Sequence, residues 1–482
     1  MRWSFVFRTL GALIFCLGIT LLLPIGFSLY YSDDSLKALI KSMGIILALG
    51  IVLFTVFRGK DDKGISHREG MAIVTLAWLG AGAVGALPYY LSGTCAHFVD
   101  AFFESLSGFT TTGASILTDI EAVPFGVLMW RSLTHWLGGM GIIVFSLAVL
   151  PFLGVGGMQL YRAEVPGPVP DKLRPRIRDT AILLWKVYLF FTIAQTILLL
   201  LGGLSFFDAL SHAFSTIATG GFSTKNASIG HFDSAYVQWV VIMFMLIAGI
   251  NFALHYAALT GKPLVMLGNA EFRFFTATML VFVAVTTASL LTVLDSGMEK
   301  VFRDAAFQVV SIITTTGYAT ADYQKWPPLP QAILVFCMFL GGCAGSTSGG
   351  MKCMRILLLL KQAYLELVRL IHPKAILQVK LGRRIVPDEV IKSIWGYFII
   401  YLGLFILASF IVAAMGVDVV TSFSGVAACI GNIGPGLGEV GPVGNYAHLP
   451  EAVKWVLSFC MVLGRLEIYT VVVLLVPEFW RK

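Results

Sequence analysis

The sequence predicts an all-α polytopic membrane protein, in which four similar helix–pore-loop–helix units surround one pore after two leading transmembrane helices. Three observations carry this prediction: the apolar composition, a fourfold internal repeat, and apolar runs on both sides of every copy. Hydrophobic residues make up 57% of the 482-residue chain and charged residues only 13%, about half the charged fraction of ordinary globular proteins. Apolar runs of ~20 residues, the length that spans a bilayer, recur along the chain.

Basic residues are concentrated in every second loop. Lys and Arg recur in the stretches 58–68, 162–178 and 361–392, whereas 115–127 and 436–450 contain neither. Because basic loops of membrane proteins stay in the cytoplasm, we expect the three basic stretches and both termini on that side. Topology therefore explains the net charge of +7, and we predict no nucleic acid partner.

One motif occurs four times, about 100 residues apart, which suits a duplicated membrane unit. The copies are "DAFFESLSGFTTTGAS" (100–115), "DALSHAFSTIATGGFS" (208–223), "DAAFQVVSIITTTGYA" (304–319) and the weaker "TSFSGVAACIGNIGPG" (421–436). Each begins with Asp or Thr, which we expect to cap a short helix, and reaches a glycine thirteen residues later. About ten helical residues rise only ~15 Å, so the segment must enter the membrane and return.

An apolar span precedes and follows each copy. The preceding spans are 71–93, 180–203, 272–294 and 390–415, and the following spans are 127–151, 235–260, 330–371 and 450–477. Two leading spans, about 5–31 and 37–57, bring the total to ten. The chain is thereby divided into a leading segment, 1–68, and four pore repeats at 69–160, 161–262, 263–372 and 373–482.

The turn after each short helix is suited to coordinating a cation. A helix C-terminus carries partial negative charge, and rings of backbone carbonyls form potassium filters. Inward carbonyls require positive φ values, which glycine adopts without strain, and a preceding Thr or Asn can brace the backbone. Because the glycine recurs in four copies at the same distance from the start of the motif, these segments are not expected to be ordinary turns between helices. The turns contain no acidic residues, which disfavours a cation pore lined by a ring of carboxylates. The predicted filter residues are Thr111, Thr112, Gly113, Thr219, Gly220, Gly221, Thr315, Thr316, Gly317, Asn432, Ile433 and Gly434.

The span after the third turn is interrupted. Residues 330–371 are too many for one straight span and contain "GCAGSTSGG" (342–350), whose glycines and serines break a helix. Two interpretations remain open. The run is either a kink or close-packed small-residue face of a helix, or a flexible flap that gates the pore. The candidate gate residues are Gly342, Gly345, Ser346, Thr347, Ser348, Gly349, Gly350 and Lys352.

Arg465 lies deep in the last apolar span. A charge at that depth costs at least ~2.5 kcal/mol, so it normally faces a pore or a partner. One interpretation is a pair with Glu467 or another buried acid, although residues two apart do not share a helix face. The other is that Arg465 belongs to the gate.

The four-repeat plan with one filter glycine per repeat resembles the Trk/Ktr/HKT superfamily of cation uptake proteins. The two leading helices and the run "SLTHWLGGMGIIVF" (132–145) resemble its bacterial TrkH branch. The resemblance implies potassium transport, because glycine at all four filter positions goes with potassium there and serine at the first with sodium. It also implies that loop 342–350 gates the pore and that Arg465 projects into the pore below the filter.

The same resemblance implies a setting for the chain. It predicts a multi-pass protein of the bacterial plasma (inner) membrane and a homodimer. It also predicts a TrkA-like cytoplasmic regulatory subunit that binds NAD or ATP. Ion-coupled secondary transport, as K⁺/H⁺ or K⁺/Na⁺ symport, remains the alternative function, since broken helices also build transporter sites.

Other functional classes find little support in the sequence. No H-E-x-x-H or G-x-S-x-G motif occurs, so we predict that the chain is not an enzyme. The seven cysteines are expected to be buried hydrophobes. Gly436, Gly438 and Gly441 spell G-x-G-x-x-G but follow a short helix instead of a strand, so no nucleotide is expected there. Filter-bound, transported K⁺ is the predicted ligand, with no organic cofactor.

Overall fold

The structure is a computed structural model that describes residues 1–57, 66–141, 177–293, 297–375, 377–382 and 384–481. Most of the basic stretches 58–68 and 162–178, and the end of the predicted span 127–151, lie outside the described residues. The predicted boundary between the first two repeats, at 160, also lies outside them.

The two leading helices form as predicted and pack closely on each other. The first comprises Trp3–Thr20 and, after a break at Leu21, Leu22–Tyr31, and the second is Leu36–Val56. A Cβ added at Gly11 would lie 2.6 Å from the Phe54 nitrogen, inside van der Waals contact. Glycine therefore permits this close crossing, as small residues do between membrane helices.

Asp33 joins the leading helices to the first repeat. Its carboxylate accepts hydrogen bonds from Ser28 Oγ (2.5 Å), Ser35 Oγ (2.6 Å) and Gly126 N (2.8 Å). Burial raises the pKa of Asp33, but these bonds outweigh it and hold the pKa below its ordinary value of 3.8. The carboxylate therefore stabilises the fold fully above that ordinary value, and the contribution is lost as pH falls through the lowered pKa.

We expect Asp33→Asn to lower the unfolding temperature of the detergent-solubilised protein by roughly 1–3 °C at neutral pH. The difference from the parent should shrink as the pH falls below 3.8, because Asp33 is then increasingly protonated. Asp34→Asn is the matched control, since Asp34 is adjacent and exposed. Thermal unfolding of the three proteins across pH checks this, and a difference that stays constant with pH would contradict it.

Each repeat contains a long outer helix, a short helix and an inner helix, in that order. The outer helices are His67–Gly85 (extended by Leu87–Leu91), Ile177–Leu201, Ala270–Leu291 and Asp388–Ala414. The short helices are Phe98–Phe109, Phe206–Ile217, Met298–Ile313 and Val419–Ile430. The inner helices are Phe125–Gly139, Ala235–Gly249, Pro328–Leu340 and Glu451–Arg465. Helices Phe252–Leu259, Leu264–Gly268, Cys353–Ile371, Tyr469–Val472 and Pro477–Trp480, and a hairpin of Lys380–Leu381 with Arg384–Ile385, complete the described elements apart from short 3₁₀ turns.

The prediction that the first residue of each copy caps the short helix is wrong. Ser205 and Asp418 cap the second and fourth short helices by accepting bonds from N–H groups three residues on. The third helix begins at Met298, well before Asp304. The acidic residues of the motif instead lie beyond the cap, and Asp208 falls in the first turn, where the helix dipole favours negative charge.

Not all of the ten predicted spans form single straight helices. Among the described residues, six helices are long and apolar enough to cross a membrane, and they correspond to the leading and outer helices; the number rises to eight if each of two bent helix pairs is counted as one span. The inner helices are only 13 to 15 residues long. The chain bends by 105° after Ala235–Gly249 and by 112° after Glu451–Arg465. Only the third interruption was predicted, because its long run of glycines and serines is conspicuous.

The buried apolar side chains form two large clusters. One joins the leading helices mainly to the first and fourth repeats, and the other lies mainly in the second and third repeats. The outer surface is apolar as well: Val52, Ile399 and Phe410 are each more than half exposed. Such a surface suits contact with lipid chains. The two buried clusters inside it hold the four turns in place.

Candidate functional site

The four turns adopt one backbone conformation. The residue two positions before each repeat glycine has φ between 52° and 58°, and the glycines have φ between 79° and 99°. Positive φ in three threonines and an asparagine is uncommon. In each turn, two residues with positive φ are thus separated by one residue whose φ is not positive. Sequence reasoning assigned positive φ to the glycines and missed it at Thr111, Thr219, Thr315 and Asn432.

The turns meet in a closed cycle. Each repeat glycine faces the carbonyl oxygen of the residue before the glycine of the next repeat, and the fourth faces the first. A Cβ added at Gly434 would lie 2.7 Å from Thr112 O, and a Cβ at any of the other three would overlap its carbonyl. The facing pairs are Gly113 with Gly220, Gly221 with Thr316, Gly317 with Ile433, and Gly434 with Thr112. The four turns thus form one closed cycle of glycine–carbonyl contacts, which we call the carbonyl ring.

Buried hydroxyl and amide groups brace this ring, but not uniformly. Asn432 Nδ2 donates to Thr112 Oγ1 (3.0 Å) and to Met461 O (2.9 Å), as predicted for an asparagine in the fourth copy. Thr315 Oγ1 accepts from Gly349 N at 2.7 Å. The hydroxyl of Thr111 has no hydrogen-bond partner among the described residues. In the first repeat, the hydroxyls of Thr110 and Thr112 bond each other instead, at 2.7 Å.

Three tyrosines support the chain just beyond the ring, and sequence reasoning missed all of them. Tyr446 OH donates to Gly434 O at 2.7 Å, Tyr323 OH to Gly436 O at 2.9 Å and Tyr318 OH to Phe222 O at 3.2 Å. Tyr318 directly follows a repeat glycine, a position that could have drawn attention. Tyr323 begins a short 3₁₀ turn and Tyr446 lies in a loop, and neither position has a comparable sequence signal.

A buried ion pair links the first two turns from behind. Arg131 Nε donates to Glu104 Oε1 at 2.7 Å, with both side chains at most 3% exposed. Glu104 also accepts from Ile116 N at 2.9 Å, and Arg131 Nη1 donates to Ser223 O at 2.8 Å. A buried charge is stable only when paired and hydrogen-bonded. The pair therefore fixes the chain after both glycines.

The glycine-rich loop lies directly beneath the ring, on the side where the short helices end. Cys343 N donates to Gly249 O at 2.9 Å, and Thr347 Oγ1 donates to Ile217 O at 3.0 Å. Gly341, Gly345 and Gly350 have positive φ, and the segment forms no helix. The loop is thus a compact non-helical segment that packs against the second repeat, not a simple helix kink.

Arg465 fastens this loop from the fourth repeat. Its guanidinium donates to Thr347 O at 2.8 Å, to Gly139 O at 3.0 Å and to Gly138 O. Glu467, one of the partners that the sequence suggests for Arg465, forms an ion pair with Arg355 instead. Arg465 therefore joins the loop to the open end of the first inner helix.

The loop and Arg465 enclose a small cavity. Its volume is about 120 Å³, and its lining includes Trp78, residues 345–350, Lys352 and Arg465. Lys352 Nζ donates to Ser348 O, so its ammonium group also folds back onto the loop. All predicted gate residues from Gly345 to Lys352 therefore lie together, whereas Gly342 packs at the base of the loop beside Ser348.

The G-x-G-x-x-G run has none of the surroundings of a dinucleotide site. Gly438–Val440 is a short 3₁₀ turn, and the short helix Val419–Ile430 precedes it instead of a strand. Gly438 N donates to Gln324 Oε1 at 3.0 Å. The run is thus an ordinary loop that continues from the fourth turn.

These features define a class first: a polytopic α-helical membrane protein whose four helix–turn–helix repeats meet at one ring of carbonyls. The chain belongs to the TrkH family of cation transport proteins, whose family model matches residues 36–482. This confirms the resemblance and the polytopic helical fold.

Individual relatives agree with this assignment. The Trk system potassium uptake protein TrkH of Salmonella typhimurium is 43% identical and covers 100% of both chains. The Trk system potassium uptake protein TrkG of Escherichia coli is 36% identical over 98% of this chain and 97% of its own. The crystal structure of the potassium transporter TrkH from Vibrio parahaemolyticus matches with a TM-score of 0.90 and 39% identity, over 100% of both chains.

Proposed function

We propose that this protein mediates potassium-selective uptake through a central pore whose filter is the ring of carbonyls. The observation that carries the proposal is the closed cycle of four glycines, each packed against a carbonyl oxygen of the next repeat. Such a ring can coordinate a dehydrated cation with no acidic side chain. The potassium uptake function printed for the relatives supports K⁺ as the transported ion.

Flux into liposomes containing the purified protein tests the proposal. Potassium and rubidium should enter along their gradients, sodium should enter far more slowly, and an uncharged organic solute should not enter. Transport of the organic solute alone would overturn the pore. Potassium entry that requires a proton or sodium gradient would instead favour K⁺/H⁺ or K⁺/Na⁺ symport.

Loop 342–350, with Lys352 and Arg465, is proposed to be the gate of this pore. It plugs the side of the ring where the short helices end, and Gly349 N bonds directly to a filter residue, Thr315. Two cationic side chains line the cavity beneath the ring, which opposes cation passage while the loop stays in place. Conduction then requires the loop to leave this position.

Gly349→Leu should raise the basal potassium flux severalfold. A Cβ at Gly349 would lie 2.8 Å from Asn432 Cβ, so a leucine side chain cannot fit and must push the loop away from the ring. Gly403→Leu is the matched control, because no atom lies within 4 Å of a Cβ there. Deletion of residues 342–350 should raise flux as well. Potassium flux in liposomes checks this, and unaltered flux in both loop variants would refute the gate.

The setting proposed for the protein is the bacterial inner membrane, with both termini cytoplasmic and two copies forming a homodimer. A TrkA-like regulatory subunit that binds NAD or ATP is proposed to dock on the basic stretch 361–392. The description of the relatives as parts of a Trk system supports a partner of this kind. Native mass spectrometry with and without the subunit and nucleotide tests the assembly, and a monomer that never binds the subunit would contradict it.

A further inference from the structure

Glu271 lies at the start of the third outer helix, away from the carbonyl ring. Its side chain is only 2% exposed. The single oxygen Oε1 accepts hydrogen bonds from Ala344 N at 2.6 Å and from Met354 N at 3.1 Å. These two N–H groups lie on opposite ends of the glycine-rich loop. One carboxylate oxygen therefore holds both ends together.

We propose that Glu271 is a positioning residue that clamps the glycine-rich loop in its plugging position and thereby sets the closed state of the gate. The inference deepens the proposed function and rests on it. Both backbone N–H groups depend on this one acceptor oxygen, so its removal leaves two donors without it.

The remaining bonds at the loop ends show why an outside clamp matters. Cys353 N donates to Gly342 O at 2.9 Å, and Cys353 Sγ approaches Gly341 O at 3.0 Å. These contacts close the loop on itself, whereas Cys343 N attaches only its first end to the second repeat, through Gly249 O. Glu271 comes from a different helix, so it fastens the closed loop to the scaffold from the third repeat. Arg465 fastens the middle of the loop from the fourth.

The test compares Glu271→Ala and Glu271→Gln with the parent protein in liposomes. Alanine removes the acceptor, whereas glutamine keeps an acceptor oxygen in the same place without the charge. Basal potassium flux should rise on the order of tenfold in Glu271→Ala and by less in Glu271→Gln. Glu69→Ala is the matched control, since Glu69 is also buried and accepts from Ser66 N (3.0 Å) and Arg2 N (2.9 Å), remote from the loop.

Thiol labelling reports the loop itself. Cys343 and Cys353 lie at its two ends and are at most 1% exposed, and Cys337 is equally buried in the neighbouring inner helix. Glu271→Ala should accelerate labelling of Cys343 and Cys353 by a small maleimide, measured peptide by peptide, while Cys337 stays protected. A variant that merely loosens the fold would expose all three, and that result would overturn the clamp.

The two proposals fail in distinguishable ways. Faster labelling of the loop cysteines without potassium flux in any variant would leave the clamp standing and remove the proposed function. Flux that responds to Gly349→Leu but not to Glu271→Ala, with unchanged labelling, would remove the clamp alone.

Discussion

Gly317→Ala should reduce potassium flux by more than about tenfold, the factor that corresponds to a loss of ~1.4 kcal/mol of cation or barrier stabilisation. Gly317 has φ +83°, and a Cβ there would overlap the carbonyl of Ile433 and lie 2.9 Å from Pro435 Cδ. The backbone must therefore shift, and the fourth carbonyl must move away from the ring. A coordination shell that loses one of its oxygens no longer matches the hydration shell that the ion gives up. Flux in liposomes measures the effect.

A control variant separates the effect of disturbing the ring from the effect of backbone strain alone. Gly203 has φ +87°, similar to Gly317, but no atom lies within 4 Å of a Cβ added there. Gly203→Ala should therefore carry the cost of an alanine at positive φ and leave the flux nearly unchanged. An equal loss of flux in both variants would mean that general destabilisation explains the result. Thermal unfolding of both variants confirms that they are folded.

Arg465→Ala should raise the basal potassium flux on the order of tenfold, because hydrogen bonds from a charged group contribute roughly 1.5–3 kcal/mol each. The guanidinium holds Thr347 O of the loop together with Gly138 O and Gly139 O at the end of the first inner helix. Alanine releases this bridge and removes a positive charge from the cavity wall. Both changes favour cation passage, which rubidium uptake into liposomes would measure.

Two further variants sharpen the test of Arg465. Arg465→Lys keeps the charge but lacks the planar fork of donors that spans several carbonyls, so its flux should be intermediate. Arg369→Ala should leave the flux unchanged, because Arg369 is exposed and pairs with Glu366 far along the helix. The role of Arg465 would be refuted by parental uptake kinetics in both Arg465 variants.

The sequence predicts the repeated core of the site because its signal is an exact spacing. A glycine thirteen residues after the start of four similar segments indicated the turns, and all four glycines prove to have positive φ. The short helices and the two leading helices follow from apolar periodicity and length. The run at 342–350 was conspicuous because helices rarely contain so many glycines.

Other features depend on tertiary contacts that leave little local trace. The second and fourth inner helices bend after Gly249 and Arg465, where Cys343 N donates to Gly249 O and the Arg465 guanidinium donates to Thr347 O. Glu271 lies 73 residues from Ala344, so no local pattern could join them. The caps were misplaced because the repeat motif begins inside the helix, after the residues that start it.

Occupancy of the carbonyl ring is tested most directly by anomalous diffraction from crystals of the protein grown in rubidium. We expect a rubidium peak among the carbonyl oxygens of Thr112, Gly220, Thr316 and Ile433. Potassium should displace it, and the same concentration of sodium should not. A ring without a peak, or a peak displaced equally by sodium, would contradict a potassium-selective carbonyl filter.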